Sequence, residues 1–346
     1  MVSVIKELKK ISAQAKMHHA LLLGLQLMIT TNKSPDIVGD WMFRLFRRQH
    51  HDKFLSSFDK LGLSGLPDAV ACAQYHVISN SIGGVPVEYM YESDRKAWVR
   101  FRYPRWIFHG PTICGVPQSI SQGFLKGWYA QNGISLNNPR LGFVCVSEDM
   151  TGEFGLCGYF YEYEHELTNE ERLQFAKGEL PPLYESIQQP KLPSAEWDDL
   201  RLQKANRNYA VDYIRNGLCE LANVIGSDEA LELASRATKL IGLQYANKTR
   251  EMLGLGDGDL FSAVKYLRCM FEGLGDEVEI LQSADSCVLR QRNLRIVQDF
   301  SGAERELLLN VWVQLWHGAL ASYRQMKVAD LTIQENEIVW LIRNRD

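Results

Sequence analysis

The sequence predicts an α+β protein of two lobes built to one plan, and three observations carry that expectation. First, helix-start and helix-stop signals recur at matched distances. Ser34-Pro35-Asp36 precedes Leu61-Gly62-Leu63 by 27 residues (34 to 61), and Ser227-Asp228-Glu229 precedes Leu253-Gly254-Leu255 by 26 (227 to 253). Second, a Val-Glu pair follows each closing leucine and opens a β-hairpin, at Val87-Glu88 and at Val278-Glu279. Each of these hairpins then carries Arg-x-Arg, at Arg100 and Arg102 and at Arg290 and Arg292. Third, a capping-box spacing follows each hairpin, Ser119 to Gln122 and Ser301 to Glu304, and a second hairpin closes each half. The same signals in the same order at matched spacing are the mark of internal duplication.

Taken in order, residues 1–32 read as a helix with Leu21, Leu25 and Met28 on one face. At Ser34-Pro35-Asp36 a hydroxyl, a proline in the first turn and an acid against the dipole start a second helix. It runs to Leu61-Gly62-Leu63, where glycine closes it. A third helix, about 68–80, precedes Gly83-Gly84. Residues 85–101 alternate around Ser93-Asp94-Arg95 and predict a hairpin. After a loop at 102–117, Ser119 opens a helix to about Asn132. Residues 141–163 predict a second hairpin, turning at Met150-Thr151-Gly152. Residues 166–197 hold Pro181, Pro182, Pro190 and Pro193 and read as an ordered linker. The second half then repeats the plan, with Trp312 and Trp316 in its penultimate helix and a last hairpin turning at Glu335-Asn336. The expected domains are 1–165, a linker at 166–197, and 198–346. Paired hairpins predict an antiparallel sheet in each lobe with helices on one face.

Bulk properties narrow the function classes. The chain has 346 residues, 46% hydrophobic and 23% charged, which suits globular lobes with their own cores. A net charge of −4 without a long run of like charge argues against a dedicated nucleic-acid surface. Arg44, Arg47, Arg48, His50 and His51 cluster, but the aromatics among them suit a helix that is partly buried. The apolar run at 20–29 is too short to span a membrane and holds Gln26. No small-residue cleavage site follows it, so no signal peptide is expected. Seven scattered cysteines do not make a secreted disulfide framework. The expectation is a cytoplasmic protein with reduced thiols.

The order of elements resembles the 4-vinyl-reductase-like domain and its relative, the aminothiazoline-carboxylate hydrolase family. In that group helices precede an antiparallel sheet interrupted by a long helix, and the two enclose a small-molecule pocket. The resemblance implies either hydrolytic opening of a small heterocycle or sensing of a small ligand. Some sensory members hold zinc through cysteines near the intervening helix and in the last hairpin. Cys114, Cys145 and Cys157 occupy those places in the first half, whereas the last hairpin of the second half has no cysteine.

The loop at 102–117 is the strongest candidate site. It carries His109 and Cys114 among Pro104, Pro111 and Pro117, with Gly110 and Gly115. Such a backbone is stiff and non-helical, a frequent setting for functional side chains. A thiolate at Cys114 with His109 as base would attack an electrophilic carbon; a histidine bonded to a carbonyl and a buried cysteine would need no function. Counting outward from the turn at 150–152 pairs Cys145 with Cys157 across the hairpin. A zinc ion could then be shared with Cys114, with His109 or Glu148 as the fourth ligand; as small apolar core residues the two cysteines would need no metal. Arg100, Arg102 and Arg105 suit a substrate carboxylate, although the echo at Arg290 and Arg292 suits structural ion pairs equally. Trp106, Trp128 and Tyr159 belong to an aromatic group that would line a pocket or fill a core. By resemblance the leading function is a small-molecule enzyme, hydrolytic or lyase-type, cleaving a C–N or C–S bond in a small polar or anionic substrate. The alternative is a non-catalytic ligand-binding module, and a homodimer is among the expected assemblies.

Overall fold

A computed structural model describes residues 2–151, 154–192, 197–256, 258–325 and 327–345. In chain order its elements are α1 (Val2–Asn32), α2 (Pro35–Phe58), α3 (Asp68–Ile82), β1 (Val87–Ser93), β2 (Lys96–Phe101), α4 (Thr112–Gly115), α5 (Ser119–Gly127), α6 (Asn132–Ser135), β3 (Leu141–Ser147), β4 (Cys157–Glu162) and β5 (Leu173–Phe175). They continue with α7 (Asp199–Ile225), α8 (Ser227–Leu253), α9 (Leu260–Leu274), β6 (Glu277–Gln282), β7 (Ser286–Arg292), α10 (Gly302–Ala321), β8 (Lys327–Ile333) and β9 (Glu337–Asn344). The fold is α+β, with two sheets of mainly antiparallel strands.

Contacts gather the chain into a contiguous unit, Thr30–Leu202, and a discontinuous one, Met1–Ile29 with Gln203–Asp346. This division departs from the expected one in two places. The first 29 residues pack with the C-terminal part of the chain, not with the lobe that follows them. The expected linker belongs to the contiguous unit, because β5 pairs in parallel with β3, Phe143 to Leu173 through Cys145 to Phe175. Further along, Gln189 takes the hydrogen bond of the Tyr89 amide (2.9 Å) and donates to the Tyr89 carbonyl (2.8 Å). A side-chain amide thereby satisfies both backbone groups of one residue on the open edge of strand β1.

In the contiguous unit the strand order is β1-β2-β4-β3-β5. The first hairpin folds as its sequence predicts, with Val87 opposite Phe101 and Tyr91 opposite Ala97. One sheet face packs on α3, where His76 stacks on Tyr129 and Phe160. The other face carries Met90, Trp98, Val144, Val146, Cys157 and Tyr159, and Tyr163 and Ala176 cover it. The helix expected over 119–132 is broken into α5, a single 3-10 turn at Tyr129–Gln131, and α6. Gln118, not Ser119, is its N-cap, so the expected capping box does not form.

The discontinuous unit orders its strands β6-β7-β9-β8, the order of the first four strands of the other sheet. The helix stop read from sequence at Gly254 holds, with a left-handed φ of 68°, and Gly275 closes α9 in the same conformation (φ 108°). Asp259 caps α9 by accepting from the Ser262 amide (2.8 Å). Helix α1 is bound in by side chains along its length. Lys10 pairs with Glu272, Ser12 donates to Gln203 (2.9 Å), and His18 accepts from the Trp312 indole (3.2 Å).

Helices α8 and α10 meet backbone to backbone. A methyl group on Gly242 would overlap the Leu315 carbonyl, and one on Gly318 would overlap that of Lys239. Helices α2 and α5 approach in the same way through Gly123 and Gly127, which face the carbonyls of Gly39 and Phe43. Replacing Gly242 with alanine is therefore expected to force the pair apart at a loss of about 1–3 kcal/mol, despite alanine's better helix propensity. Urea denaturation of the variant measures this, and an unchanged or higher midpoint would show that the helices yield freely.

Candidate functional site

The loop favoured by the sequence leaves β2 and passes through a 3-10 turn (Trp106–Phe108) and α4 before α5 begins. Its base is a buried charged network. Arg105 is 1% exposed; its Nε donates to Asp149 Oδ2 (2.7 Å) and its backbone amide to Asp149 Oδ1 (2.9 Å). Arg105 Nη2 donates to Ser121 Oγ (2.6 Å), and Ser121 in turn donates to Glu148 Oε1 (2.9 Å). Gln118 Nε2 donates to the other Glu148 oxygen. The guanidinium also lies over the rings of Phe108 and Phe124. Arg105 is thus committed to anchoring the loop, and does not serve as the exposed carboxylate anchor the sequence suggested.

The remaining expected residues divide as follows. His109 and Cys114 are both exposed on the loop, and among the described residues neither hydrogen-bonds the other. Arg100 and Arg102 are half-exposed and lie 3.8 and 3.7 Å from the Glu88 carboxylate. Arg290 and Arg292 approach Glu337 likewise, at 3.7 and 2.8 Å. Of the two readings of this arginine echo, the ion-pair reading is the one the geometry favours. Trp106 is half-buried and Trp128 buried. Tyr159 packs at a tilt against Trp98 in the core and donates its hydroxyl to Glu179 (3.2 Å).

Cys145 and Cys157 do not face each other. Cys145 stands opposite Gly158, and Cys157 opposite Ser147, with an irregularity between. Cys157 shares a face with Val144 and Val146, and Cys145 lies between those two in the strand, hence on the other face. The intended turn includes Gly152, which with Glu153 lies outside the described residues. Burial pushes both thiols up to about 12, which keeps them protonated and apolar. Glu148 is occupied by Ser121 and Gln118. Among the described residues no group of three or more His, Cys, Asp or Glu side chains is placed to hold a metal, so the zinc set Cys114, Cys145, Cys157 and Glu148 does not assemble.

Two buried histidine arrangements escaped the sequence reading. In the contiguous unit His50 Nε2 donates to Asn132 Oδ1 (3.0 Å), and Asn132 Nδ2 donates to His76 Nε2 (3.2 Å). Burial lowers the pKa of His50 to about 3 and that of His76 well below its usual value. In the discontinuous unit His18 donates from Nδ1 to the Gln14 carbonyl (3.1 Å) and accepts from Trp312, and burial lowers its pKa to about 4. These are neutral core histidines, and His18 and His50 are the buried members of the doublets at 18–19 and 50–51.

A cleft of about 530 Å³ lies in the discontinuous unit, on the loop between β7 and α10. This loop is the topological counterpart of the 102–117 loop in the other unit. Its backbone is bent by two non-glycine residues in the left-handed region, Asn293 (φ 55°) and Asp299 (φ 68°), residue types that tolerate it. Arg295 lines the cleft from a 3-10 turn, Arg305 from the first turns of α10, and Glu335 and Asn336 from the β8–β9 turn. Arg305 donates to the Glu335 carbonyl, and Arg215 donates to the Gln298 carbonyl behind the loop.

Beneath the cleft lies a buried relay of side chains. The Trp340 indole donates to Gln291 Oε1 (3.1 Å), Gln291 Nε2 donates to Asp276 Oδ2 (2.6 Å), and the Arg295 amide donates to Asp276 Oδ1 (2.9 Å). Burial raises the Asp276 pKa to about 7, with these hydrogen bonds and the Arg295 and Arg207 charges opposing it. Asp276 thus fixes Arg295 from its backbone and leaves the guanidinium to the cleft. The sequence offered one usable signal for this site: residues 293–300 sit between the second Arg-x-Arg and the second Ser-x-x-Glu. Without cysteine or histidine, the segment lacked a reactive group to draw notice.

Compared with known proteins, the chain matches no family model, no curated protein and no solved structure. Among the described residues no helix is long and apolar enough to cross a membrane. What fold and site define is therefore a class: a two-unit α+β chain with a polar, arginine-lined cleft in its discontinuous unit.

Proposed function

We propose that the protein is a small-ligand-binding module whose ligand is a small polar molecule bearing a carboxylate. The observation that carries this reading is the 530 Å³ cleft with Arg295 and Arg305 on its wall, a volume within the range of small-molecule sites. A guanidinium matches a carboxylate in geometry as well as charge. Asp299 and Glu335, also on the wall, would accept from hydrogen-bond donors elsewhere on the same ligand. The shared strand order of the two sheets supports a further part of the proposal, that the halves arose by duplication and that one of them kept the open loop. Hydrolytic or lyase-type cleavage at His109 and Cys114 is less well supported, since both residues are exposed and the described cleft is formed elsewhere.

The test is a thermal-shift and calorimetry panel of small carboxylates, including zwitterionic amino acids. At least one compound is expected to raise the Tm and to bind about tenfold more weakly to Arg295→Gln and to Arg305→Gln, the loss of one charge-assisted contact. If no compound shifts the wild-type Tm, or if both variants bind as the wild type does, the proposal fails.

A further inference from the structure

Asp276, beneath the cleft, holds a turn of the wall rather than the ligand. It is 5% exposed, and both of its carboxylate oxygens accept: Oδ2 from Gln291 Nε2 (2.6 Å) and Oδ1 from the Arg295 amide (2.9 Å). The Gln291 amide is not free to turn over, because its Oε1 takes the Trp340 indole (3.1 Å), a group that can only donate. Gln291 and Trp340 are fully buried, on strands β7 and β9, which pair with each other. The other donor is held less firmly. Arg295 opens a 3-10 turn beyond the strand, reached through Asn293 at a φ of 55°, and its amide bond to Asp276 ties that turn to the sheet.

A proton on Asp276 sets a hydrogen between an oxygen and its donor or, turned aside, still strips both bonds of the charge that strengthens them. The Gln291 side keeps its place through Trp340 and the strand pairing, so the Arg295 turn is the part that yields. We propose that Asp276 is a proton-operated latch on the cleft: ionised, it holds the Arg295 turn ready for the ligand, and protonated, it releases the turn and ligand affinity falls. The inference rests on the reading of this cleft as the ligand site. Burial raises the Asp276 pKa to about 7, which sets the change near neutrality. The charges that face Asp276 are Arg295 of the turn and Arg207 of α7, and Glu7 of α1 acts on Arg207 in turn. Around them, Glu277 of β6 accepts from Asn293 (2.7 Å), Glu337 of β9 pairs with Arg292, and Glu272 of α9 pairs with Lys10 and Arg268. His317 of α10 packs against Trp340, and burial lowers its pKa, so it gains charge below the range in which the latch works. Coulomb's law alone predicts the opposite sign, since neutralising Asp276 removes a negative charge below a carboxylate site.

Hydrogen exchange on the full chain without ligand tests the latch directly. Between pH 8 and pH 6, a unit either side of about 7, the ionised fraction of Asp276 falls from about nine-tenths to about one-tenth. Corrected for intrinsic exchange, protection of residues 293–300 is expected to fall about tenfold over that interval, while the amides of β7 keep theirs. Asp276→Asn, which cannot ionise, is expected to show the lower protection at both pH values. Calorimetry with acetate and alanine, neither of which changes charge in the interval, is the second arm. A probe that binds the wild type at pH 8 should bind about tenfold more weakly at pH 6, and equally at both pH values to Asp276→Asn. If neither these nor any other small carboxylate binds, the ligand reading fails, and the exchange result still decides the latch. Unchanged protection of 293–300 in the wild type overturns it. So does an equal loss in β7, the same pH dependence in Asp276→Asn, or affinity that rises as the pH falls.

Discussion

Asp149→Ala is expected to remove about 3–5 kcal/mol of stability, because it leaves the buried Arg105 guanidinium without its counter-charge. Arg105 is fully enclosed, and two of its hydrogen bonds, one from the side chain and one from the backbone, end on this single carboxylate. Ser121 and the rings of Phe108 and Phe124 remain after the change, but none of them carries a full negative charge. Glu148 reaches the arginine only through the Ser121 hydroxyl. The double variant Arg105→Met/Asp149→Leu is expected to recover much of the loss, since it removes both buried charges together. Urea denaturation of the wild type and the two variants, followed by tryptophan fluorescence, measures both the loss and the recovery. A loss below about 1 kcal/mol in Asp149→Ala, the range of an exposed pair, would mean that water reaches the arginine.

Lowering the pH from 7.5 to 5.0 is expected to destabilise the contiguous unit, by about 2 kcal/mol through His50 alone. Its folded pKa is depressed to about 3 by burial, whereas an unfolded histidine titrates near 6.5. The unfolded chain therefore binds more protons throughout that interval, and stability falls as pH drops through 6.5 towards the folded value. His76, also depressed by burial, acts in the same direction. His18 does likewise in the discontinuous unit. Asp276 opposes this trend, since its raised pKa favours folding as pH falls below about 7. The His50→Gln variant isolates the effect: its stability deficit relative to wild type should shrink by about 2 kcal/mol between pH 7.5 and pH 5.0. Identical pH dependence in the two proteins would assign the acid sensitivity to other groups.

Much of the architecture was legible because local signals and tertiary structure agree there. Asp94 and Arg95 make the turn of the first hairpin, and alternation about them gives the observed register. Gly62 and Gly254 close their helices in the left-handed conformation. Legibility ended where structure depends on distant partners. Strand β5 has only three residues, too few for a period, and exists because β3 offers it an edge. The second hairpin was expected to turn at residues 150–152, but nine residues separate β3 from β4 and the pairing is irregular at its end. A shift of one residue there turned the two cysteines to opposite faces. The candidate site failed for a related reason. Cys114 and His109 have reactive side chains, but residue type does not report enclosure, and the enclosed group proved to be Arg105. In the other unit, the cleft loop is made by Asn293 and Asp299, whose importance lies in backbone angles that no single residue announces.

The discontinuity of one unit also bears on how the chain is made. Helix α1 leaves the ribosome well before its partners, since the surfaces it contacts through Lys10, Ser12 and His18 lie on helices α7, α9 and α10. The whole contiguous unit, residues 30–202, must be translated before any of them appears. At typical elongation rates of about 5–20 residues per second, that is a delay of roughly 10–35 s. During it the contiguous unit can fold as it emerges, while α1 carries the buried-to-be Leu21, Leu25 and Ile29 with nothing to cover them. The nascent chain thus has a defined window of vulnerability along α1. A holdase binding the first thirty residues would meet it there, and release would be timed by the arrival of α10.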